Sequence, residues 1–249
     1  MRRLRAAGCV FAEAEADLIL SHSETAAEVL DLVQRRVDGD PLEYIVGWAL
    51  FAGLHIVVEP GVFVPRRRTE FLAEQAVARA QSNSIVVDLC CGSGAVGAAM
   101  LATLGSIELY ATDIDPAAVH CARRNIRRQN SVFEGDLLDA LPVSLRGLVT
   151  VLTANAPYVP TEEISLMPPE ARLHEAAIAL DGGADGLDIQ RRVAADAAKW
   201  LAPNGYVLVE SSKRQAPMSA QIMERVGFST RILFDDERES TVIVGQNPQ

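Results

Sequence analysis

The sequence predicts an α/β protein, a parallel sheet covered on both faces by helices. Two observations carry this. From Ser84 onward, short apolar strands alternate with helical stretches, a pattern that folds as successive right-handed crossovers. One strand-to-helix junction, Asp88-Leu89-Cys90-Cys91-Gly92-Ser93-Gly94-Ala95-Val96-Gly97, is also glycine-rich. Small residues there let the backbone approach a ligand and present N–H groups at a helix N-terminus.

Taken in order, residues 1 to 38 read as helical, with Leu18, Leu20, Val29, Leu30, Val33 and Val37 recurring at helix-like intervals. Ser23 is the expected cap of the second helix. Gly39-Asp40-Pro41 stops the run, because proline cannot continue a helix. Leu54–Val58 and Val62–Val64 flank Glu59-Pro60-Gly61 and read as a hairpin. Thr69 reads as the N-cap of a helix through Ala80, with Glu70 in its dipole-favoured first turn. Strands follow at Ile85–Leu89, Ile107–Thr112, Ser131–Glu134, Leu148–Ala154 and Tyr206–Glu210. Helices are expected at Gly92–Leu104, Pro116–Gln129, Asp188–Leu201 and Ala216–Val226, and a closing strand pair at Phe228–Phe234 and Ser240–Val244. The expected organisation is a helical arm over residues 1–40, a β-hairpin linker over 41–68, and the main α/β unit over 69–249.

Composition narrows the function. Apolar residues are 49% and charged residues 22% of the 249-residue chain, as in globular proteins. The net charge of −10 weighs against direct nucleic-acid binding, which draws on Lys and Arg. No apolar run reaches the roughly 18 residues that span a bilayer, and acidic Glu13, Glu15 and Asp17 interrupt any leader-like core. A cytoplasmic enzyme without membrane contact is expected. The four cysteines, Cys9, Cys90, Cys91 and Cys121, lack zinc or redox spacing and are expected to be reduced and buried. The histidines suggest no metal, and none is expected.

Gly92, Gly94 and Gly97 fit G-x-G-x-x-G, and Asp113 closes the next strand, where a carboxylate accepts hydrogen bonds from ribose hydroxyls. That pair alone suits any adenosine-type ligand, dinucleotides included. Asp88 and Asp136 favour a cationic one. Asp88 puts negative charge beside the loop, which repels a pyrophosphate and attracts a sulfonium, and Asp136 is placed to accept from an adenine amino group. S-adenosylmethionine (SAM) fits these residues best. Asn155-Ala156-Pro157-Tyr158 then follows the strand that ends at Ala154. An amide, a stiff Pro and an aromatic ring at the carboxyl end of a buried strand suit the clamping of a planar amino or amide group.

These residues in this order resemble the class I SAM-dependent methyltransferases, and among them the HemK-type glutamine N5-methyltransferases that act on peptide-chain release factors. Pro41-Leu42-x-Tyr44-Ile45-x-Gly47, Val64-Pro65-Arg66 with Thr69-Glu70, Ala179-Leu180-Asp181-Gly182-Gly183-x-Asp185-Gly186-Leu187 and Gly205-Tyr206-x-Leu208-x-Glu210 match in sequence with the loops above. The resemblance implies a Rossmann-like seven-stranded sheet and SAM as cofactor. It implies that Gly92 and Gly94, with Ser93 and the Cys90-Cys91 backbone, pass under the methionine moiety, that Asp113 binds the ribose, and that Asp136 and Leu137 flank the adenine. Asn155 is then shared by SAM and the acceptor amide, with Ala156, Pro157 and Tyr158 completing a catalytic clamp on a protein glutamine in a Gly-Gly-Gln motif. Two departures stand out. Ala156 replaces the first of two prolines usual in that loop, and Cys90-Cys91 replaces Gly-Thr. The N-terminal region is also shorter than is usual for the group. Methylation of a small-molecule or nucleobase amino group is the alternative reading.

Overall fold

The computed structural model describes residues 1–248; Gln249, the end of the expected main unit, lies outside them. Three helices, α1 (Arg2–Ala6), α2 (Ala12–Ser21) and α3 (Ala26–Val37), lead into the short α4 (Leu42–Val46). Leu4, Ala12, Ala16, Ile19, Val33 and Ile45 from these helices close a small core of their own. The cap of α3 is Thr25, which forms a reciprocal capping box with Glu28. Ser23 does not cap it, because its hydroxyl donates backwards to the Ile19 carbonyl at the end of α2.

The hairpin pairs β1 (Trp48–Phe51) with β2 (Leu54–Val57) across Ala52-Gly53, not across Glu59-Pro60-Gly61. Ala52 and Gly53 both hold positive φ, 49° and 76°, which matches the twist of a two-residue hairpin turn. Val62–Val64 stays outside any sheet. Its backbone is satisfied from elsewhere, by the Tyr44 hydroxyl on the Val62 carbonyl and by Glu175 on the Val64 N–H.

The main unit runs α5 (Glu70–Val77), β3 (Ile85–Leu89), α6 (Ala95–Leu104), β4 (Glu108–Asp113), α7 (Pro116–Asn125), β5 (Val132–Glu134), β6 (Val149–Ala154), α8 (Pro169–His174), α9 (Asp188–Trp200), β7 (Leu201–Glu210), α10 (Ala216–Arg225), β8 (Ser229–Asp235) and β9 (Ser240–Gln246). The strand order is β5-β4-β3-β6-β7-β9-β8. The first five strands are parallel, and β9 runs antiparallel to both β7 and β8. This is the seven-stranded Rossmann-like sheet that the resemblance implied. Helix α7 ends at Asn125, short of the expected Gln129, and the Asn125 amide donates to the Val57 and Ser93 carbonyls, tying the hairpin to the glycine loop.

Side-chain alternation along the strands divides the core in two. Val86, Val151 and Leu208 pack under α5, α6 and α7. Val87, Leu89, Leu152, Val207 and Val209 pack under α9 and α10. By the same alternation Asp88, Thr153 and Glu210 stand on the α5–α6 face. The chain leaves β3 toward β4 on one side and returns through β6 on the other, so the order reverses beside β3. The crevice at the carboxyl ends of these strands is where open α/β sheets bind ligands.

Candidate active site

A cavity of about 330 Å³ occupies that crevice, within the size range of small-molecule sites. Four junctions contribute to its walls, the loop after β3, the end of β4, the turn after β5 and the loop after β6, together with residues from the 61–69 segment and from 178–180. Asp88, Cys90, Cys91, Gly92, Ser93, Asp113, Asp136, Leu137, Asn155, Ala156, Pro157 and Tyr158 all border it. Gly94 does not. A side chain there would press on Ile126 at 3.0 Å and Ala122 at 3.1 Å, so this glycine serves the packing of α6 against α7.

The loop after β3 is held by two carboxylates. Asp113 accepts from the Gly92 N–H at 2.8 Å and from the Asp115 N–H at 3.0 Å. Burial raises its pKa, opposed by those N–H groups. Gly92 has φ of 54°, and the nearest atom to a side chain built there is Phe63 Cβ at 4.0 Å, so its α-carbon faces open cleft. Asp88 is 2% exposed and has both oxygens engaged, by the Thr153 hydroxyl at 2.9 Å and the Gly97 N–H at 3.1 Å. Strand register pairs Asp88 with Thr153 directly. Burial pushes the Asp88 pKa up to about 7 against those two bonds, with Asp113 adding to the rise. Asp88 therefore braces the N-terminal turn of α6, and the charge it lends the cleft is smaller than that of a free carboxylate. Cys90 takes the left-handed conformation, φ 52°, which favours glycine.

Asp136 and Leu137 stand at the far end of the cleft. Asp136 already has a partner, Arg192 on α9, at 2.6 Å. The sequence offered no signal for Arg192, which lies in a mixed polar face of a helix distant along the chain. Leu137 is half-buried with φ of 48°, turning its side chain to the cavity wall.

The Asn155 amide donates to the Thr69 hydroxyl at 3.3 Å. Thr69 borders α5 but makes no capping bond; its side chain serves the cleft instead. Tyr158 donates its phenol to Glu210 at 3.3 Å, and Arg68 reaches the same Glu210 oxygen at 3.3 Å. Burial and the Glu210 charge push the Tyr158 pKa up to about 12. Glu210 is itself buried, and burial raises its pKa against Thr69, Arg68 and Tyr158. Of the consecutive Arg66, Arg67 and Arg68, Arg66 pairs with buried Glu175 at 2.6 Å, and Arg67 is exposed. Behind the clamp, Val159 bonds to Leu180 and Gly182, laying the Ala179–Leu187 motif under the Asn155–Tyr158 loop. Of the cysteines, Cys91 and Cys121 are buried, whereas Cys9 and Cys90 are partly exposed; all four are free.

The cleft suits SAM. Open space above Gly92, a carboxylate at the end of β4 and an apolar wall at Leu137 offer room for an amino-acid tail, a ribose and a base in that order. Among the described residues no helix is long and apolar enough to cross a membrane.

Comparison with known proteins agrees with this architecture. The profile of the Methyltransferase small domain family matches residues 53–183, more than half of the chain. The chain is 35% identical over 225 residues to the release factor glutamine methyltransferase of Geobacter sulfurreducens, covering 89% of this chain and 78% of that protein. It is 33% identical over 222 residues to a 4-amino-L-phenylalanine/4-methylamino-L-phenylalanine methyltransferase of Streptomyces pristinaespiralis, covering 86% of this chain and 75% of that protein. Its fold matches a methyltransferase from Pyrococcus furiosus with a TM-score of 0.59, covering 79% and 90% of the two chains at 17% identity. With this sheet, this cleft and these relatives, the chain belongs to the release factor glutamine methyltransferase family of class I SAM-dependent enzymes.

Proposed function

We propose that this protein transfers a methyl group from SAM to the side-chain amide nitrogen of a glutamine, in the Gly-Gly-Gln motif of a peptide-chain release factor. The observation that carries the reading is the meeting of the glycine loop, Asp113 and Asn155–Tyr158 around one cavity. Bound SAM supplies an electrophilic methyl on its sulfonium. Gly92 leaves room for the methionine moiety, Asp113 accepts from the ribose, and Asp136 and Leu137 border the base.

The acceptor amide is a weak nucleophile because its lone pair is delocalised into the carbonyl. Its two N–H groups need acceptors that turn the nitrogen toward the methyl. Asn155 Oδ1 and the Ala156 carbonyl fill that role, and Tyr158 packs against the amide plane. Fixing geometry in this way supplies up to about 7–11 kcal/mol of a barrier. The proton leaves after transfer, to solvent or a carbonyl. In this reading residues 1–40 are a helical arm, 41–68 a hairpin linker and 69–249 the catalytic unit, and the enzyme works in the cytoplasm, where its release-factor partner acts.

A second reading, methylation of the amino group of a small molecule, is favoured by the likeness to a 4-amino-L-phenylalanine methyltransferase and by Ala156 in the clamp. One assay separates the two. The protein is incubated with methyl-labelled SAM and either release factor or 4-amino-L-phenylalanine, and the label is located by mass spectrometry. Label on the Gly-Gly-Gln glutamine is the expected result; transfer to the amine alone overturns it.

A further inference from the structure

An ion pair between α9 and the turn after β5 stands at the far end of the cavity. Helix α9 brings Ile189 and Arg192, one turn apart on one face, to the cavity wall. Ile189 and Leu137 pack against the same apolar core, and both border the cavity. Arg192 Nη2 donates to Asp136 Oδ2 at 2.6 Å. Both side chains are about half exposed, and an ion pair so open to water contributes little to stability. Asp136 makes no capping bond to the short turn Leu137–Ala140 that it precedes. Its Oδ1 has no hydrogen-bond partner among the described residues. The carboxylate is thus held by one oxygen and has the other to offer to the cavity that it borders.

An ionised carboxylate only accepts hydrogen bonds. Adenine carries an amino group at its 6-position, which donates. A 6-oxo purine carries a carbonyl oxygen in its place, which a carboxylate repels. A carboxylate fixed beside the base therefore selects between the two by attraction to one and repulsion of the other. Fixing it matters, because the last torsion of an aspartate is broad, and ordering a side chain on binding costs affinity. Arg192 has already removed that freedom. We infer that Arg192 is a positioning residue for cofactor recognition: by holding Asp136 Oδ2 it leaves Oδ1 set to accept from the 6-amino group of the purine, and so sets a preference for adenosine over 6-oxo nucleosides. The inference rests on the proposed placing of the base beside Asp136 and Leu137, and it adds α9 to the cofactor site. Arg192 acts through Asp136 and not by its own contact with the base.

Without the guanidinium, Asp136 turns freely in water, and the nucleoside must order it on binding. The loss falls on nucleoside affinity and on the choice of base. The fold is spared, since a half-exposed pair is all that is removed.

The test titrates S-adenosylhomocysteine, the product that SAM leaves, and S-inosylhomocysteine, its 6-oxo analogue, by calorimetry with no acceptor present. The proteins are wild type, Arg192→Met, Arg192→Lys, Asp136→Asn and the double variant carrying both Arg192→Met and Asp136→Asn. Methionine keeps the apolar stem and removes the guanidinium; lysine keeps the charge. The expected result is an affinity for S-adenosylhomocysteine lower by about 5–20-fold in Arg192→Met. Its preference over the inosyl analogue falls by a similar factor, and Arg192→Lys stays within a few-fold of wild type. The double variant binds no more weakly than Asp136→Asn alone, because the two residues act as one unit. Every variant melts near wild type. An Arg192→Met affinity within about two-fold of wild type overturns the inference. So does an equal loss for both nucleosides, which would make Arg192 a plain wall of the cavity, and so does an additive loss in the double variant. If Asp136→Asn leaves the preference unchanged, the placing of the base beside Asp136 fails and the inference falls with it. Methyl transfer plays no part in these titrations, so a failure to label release factor counts against the functional reading alone.

Discussion

Gln215 donates its side-chain amide to the Tyr158 carbonyl at 2.9 Å and, with the same nitrogen, to the Asp185 carbonyl at 2.9 Å. One residue before α10 thereby fastens the substrate clamp to the loop beneath it. Gln215 is buried, and Ser212 lies within hydrogen-bond distance of its other end. Replacing it by Leu leaves the Tyr158 and Asp185 carbonyls without this donor, at about 1–3 kcal/mol. Gln215→Leu is expected to lower the midpoint of urea unfolding, and to raise KM for the acceptor more than KM for SAM. Equal changes in both KM values would mean that the clamp is not the part affected.

Gly186 sits where the two loops touch. Its φ is 75°, and a side chain there would fall inside contact distance of the Tyr158 carbonyl and of the Gln215 amide. The carbonyl belongs to the backbone and has no free rotation to yield. Gly186→Ala therefore combines left-handed strain with a clash, and a loss on the order of a few kcal/mol is expected. Calorimetry checks it; a melting temperature within about 1 °C of wild type would exclude the close approach, given the usual several degrees per kcal/mol.

Asn155→Ala removes the acceptor oxygen of the clamp and leaves the loop after β3 untouched. The expected outcome is a loss of methyl transfer of about 100-fold or more, with SAM binding by calorimetry within a few-fold of wild type. Near-normal turnover in this variant would sink the clamp mechanism.

Asp88 links stability to pH. Its ordinary carboxylate pKa is raised to about 7 in the fold, mainly by burial. The folded state thus holds the proton more tightly than the unfolded chain. The stability this gives is complete below the unfolded pKa of about 4 and is lost as pH rises through about 7. Asp88→Asn, which cannot ionise, is expected to lose less stability than wild type between pH 5 and pH 8, by on the order of a few kcal/mol. Urea unfolding across that range measures the difference; parallel curves for the two proteins would show that Asp88 ionises freely in the fold.

The parts legible before the structure were those that neighbours along the chain specify. Strand, glycine turn and helix from Ile85 to Leu104 are contiguous, and so is the strand that delivers Asn155–Tyr158 to the crevice. Period-two and helical patterns report such segments because burial on one face demands them. Hence the α/β sheet was readable, and so were the glycine loop, Asp113 and Asn155–Tyr158 at the cavity. The hairpin was misplaced because Ala52 at positive φ carries no sequence signal, whereas Pro60-Gly61 carries a strong one.

Tertiary structure decided how these residues are partnered. Asn155 and Thr69 are 86 residues apart, Arg68 and Glu210 are 142 apart, and Arg192 lies 56 beyond Asp136. No periodicity spans such distances. Only the reversal of strand order beside β3 and the packing of α5 and α9 against opposite faces bring those side chains to one crevice. Asp88 shows the difference within a single residue. Its place in a strand before a glycine loop follows from the local sequence. Its role as a buried brace, with its pKa near 7, follows from Thr153 on the neighbouring strand and Gly97 on the helix above, because burial and hydrogen bonding depend on what surrounds a carboxyl group and not on what precedes it in the chain.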